Sequence, residues 1–145
     1  MENSLAIKSF NELEKSESKT TMQVYTTIDV NDIKTLYNLD NGSCDFKLND
    51  CKGESIRVVN ALIKSFDYFT DEEGNELEVP RNKKVTILID DAGKTYVTAS
   101  KIFAIQLLRF IARFGNEAIT NGLDIKIIEK DIKNSKNKGL GFELI

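Results

Sequence analysis

The side chains best suited to chemistry in this chain are aromatic rings that lie among lysines. Tyr96 alternates with Val97 in a short predicted strand, so it faces outward if Val97 belongs to the core. Phe66, Tyr68 and Phe69 lie at the far end of a long extended segment. Aromatic rings on strands can stack on nucleic-acid bases of any sequence, because every base has a π-face. These four rings are candidate stacking platforms, although each one taken singly is more typical of a core residue.

Basic side chains accompany these rings in the second half of the chain. Residues 1–80 hold 8 lysines and arginines against 16 acidic residues, whereas residues 81–138 hold 12 against 6. Such asymmetry favours a polyanionic partner, although solvated surfaces also show it. Lysine outnumbers arginine, which suits phosphate contacts better than bidentate reading of base edges. The candidate phosphate-binding residues are Lys64, Arg81, Lys83, Lys84, Lys94, Lys126 and Lys130, followed by a basic segment with Lys133, Lys136 and Lys138.

Catalysis and metal binding have little support in the residue types. The chain contains no histidine, which removes the commonest general base and every Ser-His or Cys-His nucleophile pair. Cys44 and Cys51 do not have the spacing of a zinc motif, and we interpret them as reduced, partly buried thiols. Asp90 and Asp91 resemble a metal-binding pair but are typical of a turn. We therefore expect no enzymatic activity, no cofactor and no metal.

The composition is that of a soluble globular protein, with 41% hydrophobic and 30% charged residues in a chain of 145. No apolar segment approaches the roughly 20 residues of a membrane span, and residues 1–19 lack the apolar core of a signal peptide. These features predict a cytoplasmic protein with no membrane partner. We expect a flexible N-terminal arm over residues 1–19 and a single domain over residues 20–145.

The strongest structural prediction covers residues 85–115. Apolar side chains at 85, 87 and 89 have the period of a strand with one buried face. Gly93 closes a turn, a second short strand follows, and Thr98 or Ser100 can cap a helix. That helix ends at Gly115 and places Gln106, Arg109 and Arg113 away from its apolar stripe. The stripe, which we expect to be buried, consists of Phe103, Leu107, Phe110, Ile111 and Phe114.

The remaining elements are predicted from weaker patterns. A strand over residues 20–30 precedes a short helix that is capped by Asp29 or Asn31, with Ile33, Leu36 and Tyr37 as its buried side. A long strand over residues 54–69, bent near Asn60, leads into an acidic turn at 71–75. Residues 76–79 suggest a short strand that Pro80 ends. Two strands follow the long helix: residues 123–127, and residues 139–145 with Leu140, Phe142 and Leu144 on one side.

The order of these elements predicts the fold class, which is mainly β with helices (α+β). From Gly53 onward the chain runs through three strands, a helix and two strands. This is the order of the five-stranded OB barrel, whose helix lies between its third and fourth strands, and residues 20–38 would add a strand and a helix to it. An α+β sandwich with the same element order is the alternative.

A family resemblance extends from about Ile33 to the C-terminus. The residues that carry it are Leu36-Tyr37-Asn38, Gly53, Asn60-Ala61, Asp91 to Tyr96, Ser100-Lys101, Ser135 to Gly139 and Phe142-Glu143-Leu144. In these residues the chain resembles the small single-stranded-DNA-binding proteins of protein-primed Bacillus phages and related phage proteins. The acidic loop from Asp71 to Glu78 and the N-terminal arm depart from the family pattern.

The resemblance implies a replication protein that coats displaced single strands in the host cytoplasm, alongside other replication proteins. It also implies that strand tyrosines stack on bases, with Tyr96 at the family's aromatic position and Phe66 one position out of register. We therefore expect a sequence-indifferent single-stranded-DNA-binding protein. The alternatives are a non-enzymatic protein-interaction module on the same barrel, such as an inhibitor of a host factor, and an RNA-binding accessory protein.

Overall fold

A computed structural model describes residues 20–132 and 138–145 of the chain. The predicted N-terminal arm and Lys133 and Lys136 lie outside this range. The described residues form two compact units. The first, which we call the body, comprises residues 24–64 and 84–145. The second, which we call the hairpin unit, comprises residues 20–23 and 65–83.

The secondary structure is mostly β, with helices in three places in the described part of the chain. The strands are β1 (Thr20–Thr26), β2 (Phe46–Lys47), β3 (Ser55–Thr70), β4 (Glu76–Asp90), β5 (Thr95–Thr98), β6 (Leu123–Asp131) and β7 (Lys138–Leu144). The α-helices are α1 (Ile33–Asn41), α2 (Lys101–Phe114) and α3 (Glu117–Thr120), and Leu48–Cys51 forms a 3₁₀ turn. The predicted α+β class is confirmed. After Gly53 the predicted strands occur in the predicted order, but a second, short helix, α3, which was not predicted, follows α2 before β6.

The strands of the body form a curled, open, barrel-like sheet in the order β2-β5-β4-β3-β6-β7, with β1 paired to β3 off this path. β5 lies antiparallel to β4, pairing Leu88 with Tyr96. On its other side β5 lies parallel to β2, pairing Phe46 with Tyr96. In the described residues no strand pairing joins β5 to β7. The sheet is open there because the short outer edge of β5 is occupied by β2.

Side chains of α2 and its cap satisfy the outer edge of β7. The Ser100 hydroxyl accepts a hydrogen bond from the Leu140 amide at 3.3 Å and lies 3.5 Å from the Leu140 carbonyl. The Gln106 amide nitrogen donates to the Phe142 carbonyl at 2.7 Å, and its oxygen accepts from the Phe142 amide at 3.1 Å. The prediction that Gln106 points away from the packed side of the helix is therefore wrong. Its side chain replaces the hydrogen bonds that a neighbouring strand would make.

Helix α2 carries the core of the body, as predicted. Ser100 caps it by accepting from the Phe103 amide at 3.3 Å, and Gly115 ends it with a φ of 85°. Phe103, Leu107 and Ile111 are buried, and the Phe103 ring meets that of Phe142 edge-on at 5.3 Å. The helix lies so close to β7 that a Cβ on Gly139 would be 2.6 Å from Ile102 Cδ1. Two predicted core residues differ from expectation, because Phe110 is half-buried and Phe114 is exposed.

Three further predictions are corrected by the structure. Helix α1 is capped by Asp32, and it leaves Ile33 and Tyr37 74% and 66% exposed, so the predicted buried side is wrong. β1 ends at Thr26, four residues earlier than predicted, and the amide of Thr27 still donates to the Ala61 carbonyl of its partner β3 at 3.0 Å. β4 continues through Pro80 without a break. Its partner β5 pairs only with residues 86–89, so one side of β4 at Pro80 needs no amide donor.

The last strand also departs from its pattern at one residue. Leu140 and Phe142 of β7 are buried as predicted, whereas Leu144 at its end is exposed. In β6, Ile125 and Ile127 supply the buried face that the alternation predicts. No helix in residues 20–132 and 138–145 is both long enough and apolar enough to cross a membrane.

Candidate nucleic-acid interface

The hairpin unit holds a cluster of aromatic and basic side chains. Phe66 and Tyr68 are two positions apart on β3, and their ring centroids lie 6.3 Å apart at an interplanar angle of 32°. The Lys83 ammonium lies 5.5 Å from the centroid of the Tyr68 ring. Arg81 is two positions from Lys83 on β4 and lines the same groove. We call Phe66, Tyr68, Arg81 and Lys83 the hairpin cluster.

A set of hydrogen bonds from one asparagine side chain joins β4 to β3 next to the hairpin cluster. The Asn82 side-chain nitrogen lies 2.8 Å from Asp67 Oδ1, 3.0 Å from the Ser65 hydroxyl and 3.3 Å from the Phe66 carbonyl. Asn82 sits between the two basic residues of the hairpin cluster, so its bonds set the position of that part of β4. Sequence reasoning missed Asn82, because an isolated asparagine in a strand carries no signal of its partners.

An ordered acidic turn closes the tip of the hairpin. Asp71 Oδ1 accepts from the backbone amides of Asn75 and Glu73 at 2.8 and 3.0 Å, and Gly74 has a φ of 87°. The hydrogen bond from the Asn75 amide is the main reason that the pKa of Asp71 is lowered; the Asn75 side chain, the Glu73 amide and the charge of Arg81 act in the same direction. Asp71 is therefore an anion at neutral pH.

A groove of about 460 Å³ runs along this surface and is lined by both charge types. Tyr68, Arg81 and Lys83 supply its aromatic and basic part, and the turn supplies Asp71, Glu72 and Glu73. Phe69 lies on the other face of β3 from Tyr68 and is 38% exposed. The groove can therefore stack a ring on Tyr68 and hold a phosphate at Arg81 and Lys83, while its acidic tip repels further phosphates.

The body presents a second aromatic pair, which we call the body pair. The rings of Phe46 on β2 and Tyr96 on β5 stack with centroids 5.2 Å apart and planes 27° apart. The Tyr96 hydroxyl donates to Asp90 Oδ2 at 2.8 Å. Burial, followed by this hydrogen bond and the charge of Asp90, raises the pKa of Tyr96 to about 12. Tyr96 is thus half-buried, stacked and hydrogen-bonded within the protein itself.

The surroundings of the body pair are acidic. A cleft of about 450 Å³ beside it is lined by Cys51, Glu54, Ser55 and Ile56, with no lysine or arginine among its described lining residues. Burial first, then Glu54, raises the pKa of the Cys51 thiol to about 11, so this thiol stays protonated at neutral pH. Next to Phe46, hydrogen bonds from the Thr95 amide and hydroxyl lower the pKa of Asp45.

The other predicted phosphate-binding residues lie apart from one another. Lys64 is largely buried and pairs with Asp40 of α1 at 2.7 Å, so it ties the helix to β3. Lys94 is exposed in the β4–β5 turn, where its amide donates to Asp90 Oδ1 at 2.8 Å. Lys84 is half-buried on β4, and Lys126 is exposed on β6. Lys130 is half-buried, and its side chain packs over Gly141. A Cβ added at Gly141 would lie 2.8 Å from Lys130 Cε.

The structure therefore places five of the predicted residues in the hairpin unit, namely the four of the hairpin cluster and Phe69, and separates the rest. It also reveals two partners of Tyr96 that the sequence did not assign to a site. Phe46 was predicted only as a loop anchor, and Asp90 only as a turn residue. Neither contact can be read from the alternation of residues along a strand. Phe46 reaches Tyr96 through the parallel pairing of β2 with β5, and Asp90 reaches it through a side-chain hydrogen bond.

Cys44 and Cys51 are free thiols. Residues 20–132 and 138–145 contain no group of three or more histidine, cysteine, aspartate or glutamate residues placed to hold a metal ion. Comparison with known proteins gave no match: no family model, no curated protein and no solved structure matches this chain.

Proposed function

We propose that this protein binds single-stranded DNA without sequence preference, by aromatic stacking and by lysine and arginine contacts to phosphates. We further propose that the hairpin cluster makes the principal contacts. The observation that carries the proposal is the position of the Lys83 ammonium, 5.5 Å from the Tyr68 ring, with Phe66 beside that ring. A base can stack on an aromatic ring, and the Lys83 ammonium over the Tyr68 ring can neutralise the adjoining phosphate.

The fold supports this proposal. OB barrels are partly open five-stranded Greek-key barrels, which bind oligonucleotides through their second and third strands and through two of their loops. If β3 to β7 correspond to those five strands, the hairpin unit is the first of these loops and Tyr96 lies on the third strand. The OB assignment itself is part of the proposal. It rests on the element order and on the barrel-like sheet of the body.

The family resemblance supports the same function and gives it a setting. A protein like the phage single-stranded-DNA-binding proteins would coat and protect displaced strands during replication of a phage or mobile element. Such a role needs no enzymatic activity, which agrees with the residue types. Phe69, Lys64, Lys84, Lys94, Lys126 and Lys130 are retained in the proposal as secondary contacts. Tyr96 is assigned a structural role instead, because it stacks on Phe46 and donates its hydroxyl to Asp90.

The experiment is a fluorescence-anisotropy titration with labelled oligothymidine, with unlabelled mixed-sequence single strands, duplex DNA and RNA as competitors. We expect all single-stranded DNA sequences to compete equally and the duplex to compete poorly. Tyr68→Ala should weaken binding by about 1–3 kcal/mol. Tyr37→Ala is the matched control, since Tyr37 is an exposed tyrosine of the body. Equal affinities for both variants would refute the role of the hairpin cluster, and stronger competition by RNA would favour the RNA-binding alternative.

One observation favours the second candidate, a protein-interaction module. Val30, Ile33 and Tyr37 follow one another at helical spacing around α1 and are 75%, 74% and 66% exposed. Exposed apolar clusters of this kind often mark protein contacts. The absence of single-strand binding at low salt, together with a purified partner whose binding Tyr37→Ala and Ile33→Ser both weaken, would replace DNA binding by this function.

A further inference from the structure

A cavity at the start of α2 is lined by three lysines that lie outside the hairpin cluster, and of these only Lys138 is a candidate phosphate-binding residue by sequence. It has a volume of about 350 Å³, within the usual range of ligand pockets. Lys52, Lys101 and Lys138 line it, together with Asn49, Ser100 and Gly139. No carboxylate is among its described lining residues. All of these residues belong to the body.

From these groups we propose that the cavity binds a phosphate group. Three lysine side chains around one space favour a multiply charged anion, and lysine contacts phosphate as a compact point charge. The Asn49 oxygen lies 3.4 Å from the Thr98 hydroxyl that donates to it, which leaves the Asn49 amide nitrogen as a further donor. The positive end of the α2 dipole adds to the same attraction.

Two of the lysines also contact carboxylates outside the cavity. Lys52 lies 3.5 Å from Glu129, and Lys138 pairs with Asp131. All four side chains of these pairs are about half or more exposed to solvent. Exposed ion pairs contribute little free energy, so a phosphate in the cavity can take over the lysine contacts. The pairs keep the ammonium groups in place when no phosphate is bound.

The phosphate could come from two sources, the end or backbone of a nucleic-acid strand or a free nucleotide. The inference does not require the proposed function, because the primary probe is inorganic pyrophosphate. We expect a pyrophosphate titration followed by amide NMR to shift the signals of Ser100, Lys101 and Gly139 with a single saturable affinity. No saturable shift at these residues overturns the proposal.

Substitutions around the cavity test which groups bind. Lys101→Gln and Lys138→Gln should each weaken pyrophosphate binding about tenfold or more, because each removes a charged hydrogen bond. Asp131→Asn should strengthen it by about twofold to fivefold, because it removes a competing surface ion pair. Lys34→Gln, an exposed lysine on α1, is the matched control. Unchanged affinity in both lysine variants would overturn the proposal.

Competition then identifies the source of the phosphate. Displacement of pyrophosphate by an oligonucleotide with a 5′-phosphate, but not by its 5′-hydroxyl form, assigns the cavity to strand ends; displacement by both forms assigns it to the backbone. Displacement by a mononucleotide alone assigns it to a free nucleotide. If none of these displaces pyrophosphate, the inference is wrong. Pyrophosphate binding in the absence of any single-strand binding would refute the proposed function and leave the cavity assignment standing.

Discussion

The hairpin cluster and the body pair both consist of neighbouring aromatic rings on strands, but they differ in the charges that surround them. Tyr68 lies beside the Lys83 ammonium, and Arg81 lines the same groove. Tyr96 donates its hydroxyl to the Asp90 carboxylate, and Glu54 lines the adjoining cleft. A phosphate placed at Arg81 and Lys83 gains Coulomb energy from these two cations, and Asp71, Glu72 and Glu73 in the same groove oppose it. A phosphate placed beside Asp90 and Glu54 meets only carboxylates among these named groups and loses Coulomb energy.

The rings of the body pair and of the hairpin cluster also differ in their packing within the protein. Phe46 and Tyr96 stack on each other at 5.2 Å, and Tyr96 packs against the hydrophobic core. Phe66 and Tyr68 are tilted at 6.3 Å on one face of β3. A ring that is already stacked and hydrogen-bonded within the protein has less surface to offer a base. Phe66, Tyr68 and Tyr96 are all half-buried, so the proposal distinguishes the two sites by the stacking, hydrogen bonds and charges around each ring rather than by its exposure.

The largest expected effect is the loss of single-strand affinity when both rings of the hairpin cluster are removed. Phe66→Ala with Tyr68→Ala should cost about 1–3 kcal/mol for each ring that stacks on a base. The matched control is Tyr37→Ala with Phe114→Ala, since both of these rings are exposed in the body. Anisotropy titrations measure the affinities, and thermal melts show whether each variant folds. If the double variant binds as tightly as the control, the two rings of the hairpin cluster do not contribute to single-strand binding.

The second prediction concerns the stability of the body. Tyr96→Ala should lower the free energy of unfolding by about 2–3 kcal/mol, because it removes a half-buried ring and the hydrogen bond to Asp90. We expect little change in single-strand affinity at temperatures where the variant is folded. Urea unfolding followed by circular dichroism measures the effect. Weaker binding at unchanged stability would instead make Tyr96 the platform that the sequence predicts.

The raised pKa of Tyr96 should make the free energy of unfolding depend on pH in the alkaline range. The pKa of Tyr96 is raised in the folded protein to about 12, above the value of about 10 for an unfolded chain. The unfolded state therefore loses this proton first as the pH rises. The stabilisation is complete below pH 10 and is lost between about pH 10 and 12. Tyr96→Phe should lack this component in urea titrations across that range, and a difference between wild type and variant that stays constant with pH would contradict the prediction.

Much of the fold could be predicted because local patterns determine it. The strand at residues 85–89, the turn at Gly93 and the helix α2 each depend on residues close in sequence. The predicted buried face of that strand is wrong, because residues 86–88 are all buried, Val85 and Ile89 are half-buried, and it is Leu88 that belongs to the core cluster. The exposed side of α1 could not be predicted in this way. Helical spacing shows that Ile33 and Tyr37 share a face, but it does not show whether another element covers that face.

The candidate site was predicted in part, because residue type alone selected Phe66, Tyr68, Arg81 and Lys83. Their common surface was not predicted, since the strand expected to end at Pro80 continues to Asp90 and carries both Arg81 and Lys83. The partners that give each ring its surroundings lie far away in sequence or depend on side-chain rotamers. The Phe46–Tyr96 stack joins residues 50 positions apart through a parallel pairing, and no local pattern encodes such a contact.

The smallest expected effect is on the salt dependence of binding, and it measures the charge difference between the two regions directly. Each phosphate that a lysine neutralises contributes about −0.7 to the slope of log K against log salt for a single strand. Lys83→Ala should therefore reduce the magnitude of the slope by about 0.7, whatever the sequence of the strand. Lys94→Ala, near the body pair and its carboxylates, should change the slope less.

The acidic tip of the hairpin unit provides the reciprocal test. Glu72→Gln with Glu73→Gln removes charges that line the groove of Tyr68, Arg81 and Lys83. Because this reduces repulsion without adding a phosphate contact, affinity at low salt should rise while the slope changes by less than it does in Lys83→Ala. If Lys83→Ala and Lys94→Ala change the slope equally, the charge difference between the hairpin cluster and the body pair does not direct binding. A slope near zero in the parent protein would show instead that phosphate contacts do not drive the interaction.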